Sequence, residues 1–249
     1  MKNTVYILLA LVTLFLQKVS GEENSSYYFT HINGDNGLSS SNVKAIIQDS
    51  YGFMWFGTKN GLNRFDGTSI LRMNCEDHQL KKGNNNISAL YEDANRTLWV
   101  GTDRGVYLYH PASDVFTHIN QKTKEGKTMD NWVSIVGDTQ GNIWVIIPDQ
   151  GIFRYKDNEL YFYEISNRRQ FKQESPNCIC VRENGEVWIG FWGLGICRYN
   201  PQNDSFEQIV EDRDGRPLVG KNINSICEYG DWLIMAANEG ELIKYNTKS

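Results

Sequence analysis

Trp55-Phe-Gly-Thr-Lys-Asn-Gly-Leu-Asn-Arg-Phe65 returns as Trp99-Val-Gly-Thr-Asp-Arg-Gly-Val-Tyr-Leu-Tyr109. It returns again as Trp144-Val-Ile-Ile-Pro-Asp-Gln-Gly-Ile-Phe-Arg-Tyr155 and as Trp188-Ile-Gly-Phe-Trp-Gly-Leu-Gly-Ile-Cys-Arg-Tyr199. A worn copy, Leu233-Ile-Met-Ala-Ala-Asn-Glu-Gly-Glu-Leu-Ile-Lys-Tyr245, closes the series, with Leu233 read at the tryptophan position. Short strands repeating every roughly 40–50 residues mark a β-propeller, each repeat being one blade.

The second copy shows how a blade is written. Ile87-Ser-Ala-Leu-Tyr91 is a short apolar strand, Asp93-Ala-Asn-Arg96 a turn, and Leu98-Trp-Val-Gly-Thr102 a second strand. A tight turn at Asp103-Arg104 leads to Val106-Tyr-Leu-Tyr109, and Val115-Phe-Thr-His-Ile119 is the fourth strand. Such runs, bounded by turn residues, predict a four-stranded antiparallel sheet. The same spacing predicts blades near 43–73, 87–119, 132–165, 178–209 and 223–246, within an all-β domain over 22–249. Tyr28-Phe-Thr-His-Ile32 matches the fourth strand of the second copy, so residues 27–32 are expected to close the last blade as its outer strand. Five four-stranded blades then form either a complete small ring or part of a seven-bladed propeller.

Neighbouring residues in the strands are both apolar, as in Ile46-Ile47, Trp55-Phe56 and Leu108-Tyr109. A sheet with one wet face would alternate, so both faces are expected to be covered by adjacent blades. The repeated Trp then reads as core, and Gly57, Gly101 and Gly190, two residues on, as room for a neighbour's side chain. Asp49-Ser-Tyr-Gly52 and Asp138-Thr-Gln-Gly141 read as turns capped by the Asp carboxylate rather than as metal ligands.

Composition narrows the function classes. Val5–Leu16 is an apolar run after Lys2, with Val19-Ser-Gly21 beyond it, the layout of a secretory signal peptide over 1–21. The whole chain carries a net charge of −5, which becomes −7 without Lys2 and Lys18. An acidic chain without a basic cluster argues against nucleic acid as a partner. Five Cys is an odd number for an exported protein. Cys178, Cys180, Cys197 and Cys227 fall in apolar strands and read as small buried hydrophobes, whereas Cys75 falls in a polar linker. Cys178-x-Cys180 lacks zinc-site spacing, and no nucleophile, metal or phosphate-loop motif occurs. Neither a catalytic residue, a metal site nor a cofactor is predicted.

Gly37-Leu-Ser-Ser-Ser-Asn-Val43 followed by Asp49-Ser-Tyr-Gly-Phe-Met-Trp-Phe-Gly-Thr-Lys-Asn-Gly-Leu-Asn-Arg-Phe-Asp-Gly67 resembles the two-component regulator propeller repeat. That repeat builds the periplasmic sensor region of Bacteroides-type hybrid two-component sensor kinases. The resemblance implies a periplasmic, ligand-sensing module whose ligands are oligosaccharides from glycan breakdown. It implies further propeller repeats and a sensor kinase as partners, leaves a homodimer open, and carries no kinase activity over to this chain, which reads as an N-terminal piece or a shortened relative. The alternatives are a propeller polysaccharide lyase or glycosidase, a protein-interaction scaffold and a gene remnant.

One rim of a propeller is built by the loops joining strands two and three and those joining blades. Here the former are Lys59-Asn60, Asp103-Arg104, Asp149-Gln150, Trp192 with its neighbours, and Asn238-Glu239. Their residues vary while the flanking strands repeat, which suits recognition. Trp192 is an aromatic at a tip where other copies carry polar or small residues. An aromatic face beside Asp, Asn and Arg groups suits a sugar ring; the bland alternative is a set of solvated loops with Trp192 packed on its own blade.

Overall fold

The computed structural model describes residues 29–77, 82–83, 86–129, 134–148, 150–163, 174–212, 214–218, 220, 222–238 and 240–248. The proposed signal peptide, His78, Asp149 and Glu239 lie outside them. Ile32–Ser249 forms one compact unit, and of Met1–His31 only residues 29–31 are described.

After a short 3-10 turn at Gly34–Asn36, the first sheet comprises β1 (Val43–Gln48), β2 (Met54–Thr58), β3 (Gly61–Phe65) and β4 (Ile70–Met73). A small pair, β5 (Glu76–Asp77) and β6 (Lys82–Gly83), follows. The second sheet is β7 (Ile87–Glu92), β8 (Leu98–Thr102), β9 (Gly105–His110) and β10 (Val115–His118). The third is β11 (Ser134–Gly137), β12 (Ile143–Ile147), β13 (Gly151–Lys156) and β14 (Glu159–Tyr163). The fourth is β15 (Ser175–Val181), β16 (Val187–Trp192), β17 (Gly195–Asn200) and β18 (Ser205–Ile209). The fifth is β19 (Ile223–Tyr229), β20 (Trp232–Ala237) and β21 (Leu242–Asn246). Every pairing is antiparallel between strands consecutive in the chain. The first strands touch in series, β1 to β7, β7 to β11, β11 to β15 and β15 to β19, and so form the inner wall of a propeller.

The expected closing strand over 27–32 is described only in part, because residues 27–28 lie outside the described residues. The sheet has three strands, and residues 29–32 lie outside any strand. In β10 the Phe-Thr-His phrase is delivered to β9 by the tight turn at 111–114.

The four tryptophans that open the repeated phrase are core, as their spacing predicts, and they pair in a regular way. Trp55 meets Tyr109 with ring centroids 5.4 Å apart, Trp99 meets Tyr155 at 5.3 Å, Trp144 meets Tyr199 at 4.7 Å and Trp188 meets Tyr245 at 5.4 Å. The Trp that opens the phrase in one copy thus packs against the Tyr that closes it in the next. Each of these four Trp is buried, which contributes roughly 2–3 kcal/mol by area alone. The tilted and edge-on geometries add about 0.5–1.5 kcal/mol per pair.

The turn aspartates do more than cap. Asp49 Oδ1 accepts the N–H groups of Tyr51 and Phe53, while its Oδ2 accepts the Trp55 indole N–H at 2.7 Å. Asp93 and Asp138 repeat this with Trp99 and Trp144, both at 2.9 Å. In the fourth sheet Arg182 stands at the aspartate position, pairs with Glu186 at 2.7 Å, and Glu186 receives the Trp188 indole instead. Adjacent sheets are also clamped at this turn. Glu92 at the end of β7 accepts the Ser50 N–H, and Glu228 in β19 accepts the Glu183 N–H, at 2.7 and 2.8 Å.

The fifth copy is shifted by one residue from the sequence alignment. Trp188 lies opposite Cys180 and Arg198; in the fifth sheet it is Ile234 that lies opposite Cys227 and Lys244. Ile234 therefore takes the tryptophan position. Leu233 points the other way and is buried in the cluster of Trp188, Ile196 and Tyr245. A one-residue shift exchanges the faces of a strand.

The face carrying Cys227, Ile234 and Leu242 is the one that earlier sheets cover with their successor. Here Leu242 is 66% exposed and Cys227 is exposed, so the reading of Cys227 as buried is corrected. Cys75, in its polar linker, is fully buried in the cluster of Trp55 and Tyr109. All five cysteines are free thiols. Burial pushes the thiols of Cys75, Cys178 and Cys197 up to about 12, which suppresses their thiolates at neutral pH. A thiol-specific reagent at pH 8 is expected to modify Cys227 rapidly in the native chain and to reach Cys75 and Cys197 only after denaturation. Peptide mass mapping after a short pulse checks this; early labelling of Cys75 contradicts the burial.

Candidate functional site

At the upper end of each sheet the first strand begins and the second turns into the third. The predicted tip residues sit on this rim. Lys59 donates its backbone N–H to Asn42 O at 3.2 Å, Asn60 N–H is held by Thr58 Oγ1 at 3.1 Å, and Arg104 N–H by Thr102 Oγ1 at 3.1 Å. Gln150 N–H is bonded to Ile147 O at 3.1 Å. These four residues are thereby fixed as hairpin tips by their backbones. Asp103 has a side-chain partner: its Oδ2 accepts from Asn86 Nδ2 at 3.2 Å, and Asn86 Oδ1 accepts from Lys44 Nζ at 3.1 Å.

Two predicted residues are brought together. Trp192, the last residue of β16, donates its indole N–H to Asn224 Oδ1 at 3.1 Å. Asn224 Nδ2 donates to Asn238 Oδ1 at 2.6 Å. Asn222 Oδ1 accepts the Gly193 N–H at 2.9 Å, and its carbonyl accepts the Asn238 N–H at 3.1 Å. Asn177 Nδ2 adds a bond to Ile223 O at 3.0 Å. The tips of the fourth and fifth sheets are thus stitched together by four asparagines around an indole that remains 47% exposed. Trp192 does not pack away on its own blade; it is held from the neighbouring one.

This patch offers a flat aromatic face, amide donors and amide acceptors, with no formal charge among its five members. Such equipment suits a neutral, polyhydroxylated ligand, which presents both apolar C–H faces and hydroxyls of either polarity. Of the three rim carboxylates named from the sequence, Asp103 alone is described, and it belongs to the Lys44–Asn86 chain on another sheet. Among the described residues no group of three or more metal-ligating side chains converges.

Asn177, Asn222 and Asn224 were not singled out as site residues in the sequence. A signal existed: Asn42, Asn86 and Asn222 each precede the first strand of a copy, and that strand is the inner wall beneath the tips.

The family described as "Two component regulator propeller" matches residues 37–60 and 81–104. "Histidine kinase P4" of Formosa agariphila is 46% identical over 57 residues, which is 22% of this chain and 4% of that protein. The extracellular domain of a hybrid two component system from B. thetaiotaomicron is 22% identical, with a TM-score of 0.66 over 89% of this chain and 32% of its own. The chain therefore spans about a third of that domain's length. Virginiamycin B lyase from Staphylococcus aureus is 12% identical, with a TM-score of 0.56 over 84% of this chain and 71% of its own. At these identities both structures share the fold and nothing further. Residues 37–60 and 81–104 thus match the two component regulator propeller repeat, and the three sheets that follow continue the same blade pattern.

Proposed function

We propose that this chain is the periplasmic, ligand-sensing propeller of a hybrid two-component signalling system, and that its ligands are oligosaccharides released from glycans. The observation that carries the reading is the exposed Trp192 indole, oriented by Asn224 and flanked by Asn238. The likeness of 57 residues to a histidine kinase and of the fold to an extracellular sensor domain supports it. Among the described residues, no helix is long and apolar enough to cross a membrane. The chain itself performs no chemistry in this reading. It holds a glycan fragment at the upper rim, and the interface between the fourth and fifth sheets passes the change on, through further propeller repeats, to a sensor kinase.

The test is calorimetry of the chain against a panel of plant and host glycan oligosaccharides, beside Trp192→Ala. Binding of at least one oligosaccharide is expected, weakened roughly 10–100-fold by Trp192→Ala. The half-exposed indole contributes little to the core, so the variant's melting temperature should stay within a few degrees of the parent. No binding by a folded chain, or binding indifferent to Trp192, rejects the assignment.

A further inference from the structure

Beside the Trp192 patch, a cleft of about 250 Å³ opens between the fourth and fifth sheets. The two share a wall, because Gly193, the residue after Trp192, lines the cleft while its N–H is bonded to Asn222. The floor is apolar: Ile196 and Met235 are buried there, and Ile243 completes it. The polar side chains of the lining are Glu174 and Gln208, and among the described residues no basic side chain lines it. Gln208 is turned to the backbone, donating Nε2–H to Leu194 O at 2.8 Å. Glu174 is the other polar side chain of the lining, and partial burial raises its carboxyl above the ordinary value.

A volume of 250 Å³ lies below the roughly 300–1,000 Å³ of pockets that swallow a whole ligand. The cleft therefore suits one substituent of a ligand held mainly outside. That substituent needs an apolar end for the floor and a hydrogen-bond donor for the carboxyl. A hydroxyl would leave the floor unfilled. An O-acetyl or deoxy-methyl group fills the floor but offers the carboxyl no donor. A free ammonium would pair with Glu174 but bring a charge against Ile196 and Met235. An acetamido group has both the methyl and the N–H.

We propose that the cleft is a specificity subsite for the N-acetyl group of an amino sugar, its methyl on Ile196, Met235 and Ile243 and its amide N–H donated to Glu174, while the sugar ring lies against Trp192. This rests on the glycan reading above and narrows it to glycans that contain N-acetylated amino sugars.

The probes are N-acetylglucosamine against glucose and N-acetylgalactosamine against galactose, titrated by saturation-transfer NMR with the full chain. At least one N-acetyl sugar is expected to bind ten-fold or more tightly than its parent sugar, with the acetyl methyl receiving the strongest saturation. Ile243→Phe, which fills the cleft from its floor, and Glu174→Ala should each remove that preference while leaving binding of the plain sugar unchanged. If either variant fails to fold, the methyl saturation in the parent chain still decides. Equal binding within each pair, abolished by Trp192→Ala, overturns the cleft assignment and leaves the glycan reading standing. Binding of neutral oligosaccharides from the panel with no response to either N-acetyl sugar does the same. Silence toward all these sugars and toward the whole panel, in a folded chain, overturns both.

Discussion

Asp138→Ala should cost about 3 kcal/mol of stability, the largest loss expected from any single surface turn of this chain. The carboxylate accepts four hydrogen bonds: from Gln140 N and Asn142 N at 2.9 Å, from Asn142 Nδ2 at 2.7 Å and from the Trp144 indole at 2.9 Å. Trp144 is fully buried, so its N–H has no water to turn to when the carboxylate is gone. Leaving such a donor unpaired costs roughly 1–3 kcal/mol, and bonds to a charged acceptor contribute roughly 1.5–3 kcal/mol each before partial recovery by solvent. For a chain of this size the melting temperature should fall by roughly 6–12 °C. Asp138→Asn is the finer probe. Its carbonyl oxygen can still cap the turn, but its amide then points donors at the indole and at Asn142, and about 2 kcal/mol should be lost.

A built-in control separates the turn from the indole. Asp212 makes the same turn, accepting Asp214 N and Arg216 N at 2.9 and 2.8 Å, in a loop with no tryptophan attached. Asp212→Ala should cost less than about 1 kcal/mol. Urea denaturation of the three variants measures the difference. Equal losses for Asp138→Ala and Asp212→Ala would mean that the Asp–Trp bond contributes nothing, and that the recurring pair six residues apart reflects turn chemistry alone.

The blade pattern was legible because both of its physical requirements leave marks on the chain. Bulky rings must recur where sheets stack, hence Trp55, Trp99, Trp144 and Trp188, and turn residues must recur where strands reverse, hence Asp49, Asp93 and Asp138. The partner of each ring was equally visible, since the Tyr closing the next copy recurs just as strictly, but only stacking shows that Trp55 reaches Tyr109 rather than its own Phe65. The fifth copy was misread by one residue because Leu233 and Ile234 are both apolar; hydropathy cannot choose between faces when both neighbours suit a core. Cys227 was misplaced for a related reason. Its strand looks like the others, yet its face has no next sheet upon it.

The site was legible only by its outline. Variable tips on a repeated scaffold pointed to the rim, and Trp192 stood out among them by type. Which tips converge depends on how the fourth and fifth sheets lean together, and the amides that join them come from β15, β19 and the strand ends, far apart in sequence. Asn177, Asn224 and Asn238 share no spacing that would announce them as one cluster. The residue next to the tip was also silent: Gly193 reads as a turn glycine, and its role as the wall common to patch and cleft exists only in three dimensions.

Gly190→Ala is the second change expected to hurt most, and it probes the same sheet-to-sheet contact from its tightest point. A Cβ on Gly190 would lie 2.6 Å from Cys178 Sγ and 2.7 Å from Ile223 Cγ2, distances that real carbon atoms do not adopt. Gly57 has the same relation to Ile87, with Cγ2 at 2.6 Å, so a small residue in the second strand regularly receives the isoleucine that opens the next sheet. In the third sheet the sizes are exchanged: Ile146 stands at the glycine position and Pro176 at the isoleucine position of the sheet that follows. The fifth sheet carries Ala236 there, on its exposed face. The backbone of Gly190 is ordinary strand, so the whole cost of a methyl is steric. Overpacking of this kind costs roughly 1–3 kcal/mol, and here both contacts are rigid, which places the loss at about 3 kcal/mol. Ile223→Ala alone should cost roughly 2–4 kcal/mol through the cavity it leaves. The double variant removes the clash and fills part of that cavity. Its loss should therefore fall short of the sum of the two single losses by at least about 1 kcal/mol, a coupling that denaturation of the four proteins reads directly. Additive losses would show that the fourth and fifth sheets do not meet at Gly190 and Ile223, and the rim patch and cleft, which depend on that same approach, would lose their geometry with it.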